Sequence, residues 1–182
     1  MSKTTTRTKN NIIDAFLKIL QTESINNISI QDIVNASGVN RSTFYRYFNS
    51  ISDLQVASLR KIAKSNLKPN AKFPEIIRQM TDLIFDYKKL LRNLFPSTDR
   101  FYAEGFELVQ EFLNNVLIFP IEKKDLVLQL ITSSSSKELM IKYISGAIVG
   151  VVSEVLIDDS LTRTEVANFL LERLQNKKEK LS

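Results

Sequence analysis

Between Gln31 and Phe48 the chain concentrates side chains that donate hydrogen bonds. Asn40, Arg41, Ser42, Thr43, Tyr45, Arg46 and Tyr47 follow one another with only Phe44 interrupting them, and no carboxylate lies among them. Donors crowded onto about two helical turns match what phosphate oxygens and base edges require. A helix beginning at Asn40 adds backbone N–H groups suited to a phosphate. A helical hairpin with a solvated polar face is the plainer reading of the same turn.

Those donors need a rigid mount, and the preceding residues supply one. Ser29 followed by Asp32 predicts a capping-box start, and Ile30, Ile33, Val34 and Ala36 form the expected buried side of a short helix. Ser37-Gly38 should end it, because glycine tolerates the left-handed backbone that closes a helix. Asn40 is then a good N-cap for a second short helix reaching about Tyr47. Apolar Ile33, Val34, Val39 and Phe44 are placed to hold the two helices at a fixed angle, leaving the other face of the second one free.

The composition narrows the chemistry. The 182 residues include no cysteine and no histidine. Disulfides, thiolate metal sites and thiol nucleophiles are therefore absent, together with the commonest metal ligand and general base. No catalytic motif, metal site or cofactor motif is expected, and an enzyme is not. The net charge of +5 is uneven: residues 1–68 carry ten Lys/Arg against four Asp/Glu (+6), and residues 69–182 carry fifteen against sixteen (−1). Charge alone fits a basic surface kept for solubility as well as one facing a polyanion. The N-terminus lacks an apolar signal region, and the most apolar stretch, Tyr143 to Val152, is shorter than the ~20 residues of a membrane span. A cytoplasmic protein with no membrane partner is the expectation.

Apolar residues recur at helical spacing along nearly the whole chain, and no segment alternates at period two, so the predicted fold is all-α. A first helix is expected from about Thr8 to Glu23, with Lys3, Arg7 and Lys9 in a flexible basic arm that precedes or opens it. Ser50 with Asp53 starts a fourth helix to about Leu67, and Lys68-Pro69-Asn70 ends it. A long helix beyond Pro74, broken near Lys88-Lys89, ends at Pro96, and another from about Phe101 stops at Pro120. Residues 121–136 are ambiguous, with the serine run at 133–136 read as a loop. A helix from Lys137 to Ile157 follows, then one capped by Thr162 and Glu165, then a polar tail from Asn176 that should fray. The expected division is a helix-turn-helix domain at 1–50, a connecting helix at 51–68 and a helical domain at 69–182.

The N-terminal segment resembles the DNA-binding domain of TetR-family regulators. The likeness rests on the spaced Ile, Phe and Leu of the first helix, on Ile33-Val34-x-x-Ser37-Gly38-Val39, on Thr43-Phe44-Tyr45-Arg46-Tyr47-Phe48, and on Ser50-x-Ser52-Asp53-Leu54. It is specific over about Arg7 to Leu59 and continues beyond only as helix pattern and length. It implies a two-fold dimer on a palindromic double-stranded operator, with the third helix in the major groove. Carried over, Arg41, Ser42 and Thr43 sit where bases and nearby phosphates are read. Asn40, Tyr45, Arg46 and Tyr47 complete that helix, and Gln31 matches a contact position on the second. Arg7 and Lys9 add expected phosphate contacts. Tyr47 stands where the family usually has histidine, and Ile51 where a phosphate-binding lysine is common.

In the C-terminal half, the helix from Lys137 to Ile157 is apolar nearly all round and needs covering on opposite sides, by its own subunit and by a partner. Gly146 and Gly150 would admit a close neighbouring helix. The resemblance implies a four-helix dimer bundle, which places Ile144, Ile148, Val151, Val155, Val166, Phe169 and Leu170 at the subunit interface. Phe85, Phe101, Tyr102, Phe112 and Tyr143 are candidates to line a pocket for a small-molecule effector, or else ordinary core. The expected function is a DNA-binding transcriptional regulator, a repressor released by such an effector. The alternative is a protein-interaction module or co-activator that no longer depends on DNA.

Overall fold

The computed structural model describes residues 3–68, 71–116 and 126–175. Among them are ten α-helices, one 3-10 turn and no strand, the all-α class that the helical spacing predicts. Pro69-Asn70, Pro120 and the tail from Asn176 lie outside the described residues.

The chain forms two compact units, and the first is not one continuous stretch. It joins Met1–Ser65 to Tyr87–Ser97, while the second takes Asn66–Asp86 and Thr98–Ser182.

In the first unit, α1 (Lys3–Ile19), a 3-10 turn (Ile25–Asn27), α2 (Ile30–Ser37), α3 (Arg41–Tyr47), α4 (Ile51–Asn66) and α6 (Lys88–Leu94) surround one core. Ile12, Phe16, Leu20, Ile33, Phe44, Leu54 and Leu94 are completely buried in it. Two amides tie α6 in: the buried Gln55 donates to the Leu94 carbonyl at 3.4 Å, and the half-buried Asn93 donates to the Leu20 carbonyl at 2.9 Å.

Two sequence expectations change here. First, α1 starts at Lys3, so Arg7 and Lys9 stand on a helix rather than in a flexible arm. Tertiary contacts stabilise its first turns despite three consecutive threonines of modest helix propensity: the Asn11 amide donates to the Ser37 carbonyl at 2.6 Å, and the Lys9 ammonium lies 5.5 Å from the Phe48 ring centroid. Second, Ala36 is exposed. Ser37, one turn from Ile33, takes the inward position, and its hydroxyl donates to the Ile33 carbonyl at 2.7 Å. The break expected near Lys88-Lys89 falls at Tyr87, which parts α5 (Phe73–Asp86) from α6.

The second unit contains α5, α7 (Thr98–Val116), α8 (Leu126–Ser133), α9 (Lys137–Ile157) and α10 (Arg163–Gln175). The ambiguous stretch thus holds a helix, and Ser136 caps α9 by accepting from the Leu139 N–H. Helices α7 and α9 pack closely through glycine. A Cβ at Gly105 would sit 3.8 Å from Val149, and one at Gly146 would sit 3.7 Å from the Phe106 ring. The close neighbour that Gly146 and Gly150 admit is therefore α7 of the same chain. Tyr102 and Ser153 join the two helices through a hydroxyl–hydroxyl hydrogen bond of 3.1 Å.

Arg163 ties the start of α10 to α5. It bonds Asp82 at 3.2 Å and Asp86 at 2.8 Å, with its guanidinium 5.6 Å from the Phe85 ring centroid. The Asp86 hydrogen bond holds the guanidinium still more firmly charged. All three charged groups are about half exposed, so water screens most of the Coulomb gain, and the tie fixes geometry more than it adds stability.

By length and composition alone, the 21-residue α9 is long and apolar enough to cross a membrane, a test that the core helix of a soluble protein also passes. Its apolarity has a local explanation, since Ile141, Ile144, Ile148, Val149, Val152 and Val155 are buried within the unit.

Gly38 has φ +66°, and a Cβ there would meet nothing within 4 Å. Replacing it by alanine therefore tests backbone strain without a clash. Gly38→Ala should destabilise the chain by about 1 kcal/mol, the left-handed penalty less the entropy removed from the unfolded chain. A urea denaturation midpoint unchanged from wild type would contradict this.

Candidate nucleic-acid interface

Helix α3 has only seven residues, too few to be stable alone, so its neighbours decide which way each side chain faces. Phe44 is fully buried and Phe48 nearly so, with ring centroids 5.9 Å apart. Burying a ring of that size contributes roughly 1.5–3 kcal/mol. With the Phe44 side held down, the 100° step of the helix turns Arg41, Ser42, Tyr45 and Arg46 to solvent and leaves Thr43 and Tyr47 half-buried on the flanks.

Both ends of the turn are capped as their residue types predict. In α2 the Ser29 hydroxyl accepts from the Asp32 N–H while the Asp32 carboxylate accepts from the Ser29 N–H at 2.9 Å. The hydrogen bond from the Ser29 hydroxyl, and then that from its backbone, hold the Asp32 carboxyl below its ordinary range. At α3 the Asn40 side-chain amide oxygen accepts from the Thr43 N–H and the Ser42 hydroxyl, each at 2.8 Å. Asp53 accepts from the Asn49 N–H at 3.0 Å. The two carboxylates nearest the donor cluster, Asp32 and Asp53, are thus both engaged with the backbone at helix starts.

On the exposed face each guanidinium lies beside a tyrosine. The Arg41 carbon is 5.7 Å from the Tyr45 ring centroid, and the Arg46 carbon is 5.1 Å from that of Tyr47. The longer contacts from each arginine to the corresponding phenol oxygen are 3.4 and 3.5 Å. Rings that support the cations narrow their motion without neutralising them. Gln31 is exposed on α2, where its amide donates to Asn35 at 2.8 Å. The turn places Asn40, Arg41, Ser42, Tyr45 and Arg46 on one surface with Thr43 and Tyr47 at its border. Lys9 is directed instead onto Phe48.

Residues 12–58 match the family model described as bacterial regulatory proteins, tetR family. This N-terminal segment is a tetR-type helix-turn-helix domain. The match spans α1 from its second half, α2, α3 and the first half of α4, the elements that carry and present the donor face. The chain is accordingly a helix-turn-helix regulator of transcription. A solved structure of similar fold is the dihydroxyacetone kinase operon activator DhaS, at TM-score 0.61 and 18% identity, covering 92% of this chain and 96% of that one. At that identity the likeness speaks for the fold of the TetR-type chain rather than for its ligands. No curated protein matches it in sequence.

The positions assigned to the C-terminal half fare differently. Ile144, Ile148, Val155, Val166 and Leu170 are all buried within the chain, so they are core rather than partner-facing. Val151 is half-buried, and Phe169 is 47% exposed. Because α9 is apolar all round, the sequence does not say which stripe its own unit covers. The outer stripe holds Leu139 at 66% exposure, Tyr143 at 72%, and Ala147. The five pocket candidates differ in exposure and in the contacts they make. Tyr143 is mostly solvent-exposed, Phe85 lies against Arg163, Phe101 is core, and Tyr102 is partly exposed beside Ser153. Phe112 is half-buried on α7.

Arg41→Ala removes an exposed cation and leaves the core of the TetR domain untouched. It should cost about 1–3 kcal/mol of DNA affinity and relax preference at one base pair if Arg41 reads a base edge. Equal binding of variant and wild type to the preferred duplex would remove Arg41 from the interface.

Proposed function

We propose that this chain is a cytoplasmic, sequence-specific repressor that binds a palindromic operator as a homodimer, with α3 of each subunit in the major groove. Asn40, Arg41, Ser42, Thr43, Tyr45, Arg46 and Tyr47 form its reading surface, with Gln31 beside them on α2. The carrying observation is that Phe44 is wholly buried while Arg41, Ser42, Tyr45 and Arg46 face solvent. Such a surface meets the duplex with many donors and no carboxylate, and two copies one helical turn apart multiply both affinity and specificity. A small-molecule effector with different affinity for the bound and free states would release the operator.

The dimer face in this reading is the outer stripe of α9 with Phe169 of α10. Leu139, Tyr143 and Phe169 expose large apolar surface there, which favours contact with a second copy. Tyr143→Glu would put a charge at its centre. The variant should sediment as a monomer and bind a full operator weakly, whereas an unchanged dimer moves the interface elsewhere.

A second reading is favoured by the solved neighbour, which is named as an operon activator. The same fold then acts positively, as a co-activator working through protein contact, and Ile51 in place of the family's common lysine fits a weaker hold on DNA. One experiment separates the readings. Selection from random duplexes should recover a two-fold motif, and binding to it should weaken with salt by ~0.9 in log K per log salt for each phosphate neutralised. Recovery of no motif, or a flat salt response, would favour the protein-contact reading.

A further inference from the structure

On the donor face of α3, Tyr45 touches both the core and a cation. Its ring meets the Phe44 ring edge-on, with centroids 5.5 Å apart and planes at 88°, an arrangement that aromatic quadrupoles favour. Arg41 stands one turn earlier on the same edge of the helix, and its guanidinium carbon lies 5.7 Å from the Tyr45 centroid. Support therefore passes outward: the fully buried Phe44 orients the Tyr45 ring, and that ring bears the Arg41 guanidinium. The 3.4 Å approach of Arg41 Nη2 to the phenol oxygen is long for a hydrogen bond, so the ring holds the cation more than the hydroxyl does.

Among the described residues that phenol oxygen is the one acceptor Arg41 engages. Other acceptors nearby are committed. The Asn40 side-chain oxygen takes the Thr43 N–H and the Ser42 hydroxyl, and the Asp32 and Asp53 carboxylates accept backbone N–H groups. Arg41 is exposed, so most of its five donors stay open to a ligand. They belong to the first turn of α3, the part of a recognition helix that meets base edges. A planar fork of N–H groups needs two acceptors side by side. In the major groove guanine offers both, O6 and N7, whereas adenine sets an amino donor beside its acceptor and thymine has a single acceptor.

We infer that Arg41 reads a guanine in each half-site, and that Tyr45, expected from the sequence to touch DNA itself, is the positioning residue that holds the Arg41 fork ready. The inference rests on the DNA-binding reading above. An arginine whose rotamers are already restricted loses less freedom on docking, and a ring placed by the core selects one direction for the fork. Arg46 has a ring of its own, Tyr47, at 5.1 Å, and so serves as the internal control.

The test uses the full-length chain and the duplex recovered by selection, remade with 7-deazaguanine at one guanine position of both half-sites at a time. That base still pairs with cytosine and keeps O6 but lacks the N7 acceptor. Wild type should lose roughly tenfold in affinity per half-site at one position, the worth of a hydrogen bond to a charged group. Arg41→Ala should be indifferent to replacement there and keep the wild-type response at every other guanine. Tyr45→Leu should weaken the response at that position by roughly threefold without changing the salt slope, since no cation is lost, and Tyr45→Phe, which keeps the ring, should restore it. The absence of such a guanine, or a response that Arg41→Ala leaves in place, overturns the assignment of Arg41. Equal losses in Tyr45→Phe and Tyr45→Leu make the phenol a direct DNA contact and overturn the positioning role. Either result leaves the recovered motif and the reading by α3 standing, whereas recovery of no motif overturns that reading as well.

Discussion

The donor face depends on one side chain being hidden. A helix of seven residues cannot hold its own shape in water, so Phe44 must be buried for the rest of α3 to have a defined outside. Everything else in the first unit supports that placement. The α2 helix is started by a reciprocal Ser29–Asp32 cap and ended by a left-handed glycine, which together set where α3 begins. Once Phe44 is in the core, orientation of the arginines follows from helix geometry alone, and the rings of Tyr45 and Tyr47 refine it.

Much of this first unit was legible in the residues because each feature has a local cause. Ser29 with Asp32, Gly38 and Asn40 announce helix ends through short-range hydrogen bonds and backbone preference, and the structure has those ends where the residue types put them. Thr162 with Glu165 does the same for α10. What escaped the sequence depends on distant partners. The first turns of α1 are helical because Asn11 meets Ser37 and Lys9 meets Phe48, contacts 26 and 39 residues apart along the chain. Nothing near Thr4 to Thr6 signals either one. Ala36 and Ser37 show the same limit at smaller scale, since a serine that bonds back to its own helix can take an inward position that its polarity argues against.

The second unit was harder to read for a different reason. Amphipathic periodicity identifies the inner side of a helix only when the two sides differ, and α9 is apolar on both. Its inward stripe could be assigned only from what covers it, namely α7 brought close by Gly105, Gly146 and Gly150. Five of the seven residues expected at a subunit interface are therefore buried within the unit, while Tyr143, read as pocket lining, lies on the outer stripe. The helix boundaries, by contrast, coincide with those expected from Lys137 to Ile157.

The membership of α6 in the first unit bears on how such a chain can be divided. Leu94 fills that core completely, and its carbonyl and that of Leu20 receive the amides of Gln55 and Asn93. The polypeptide leaves the unit after Ser65 and returns at Tyr87, so no single cut can release the reading head whole. A fragment ending at Lys68 would have a vacant socket where Leu94 belongs and would lack the carbonyl that accepts from Gln55. Modularity here is spatial rather than linear, and a transplanted head would have to bring its returning helix along.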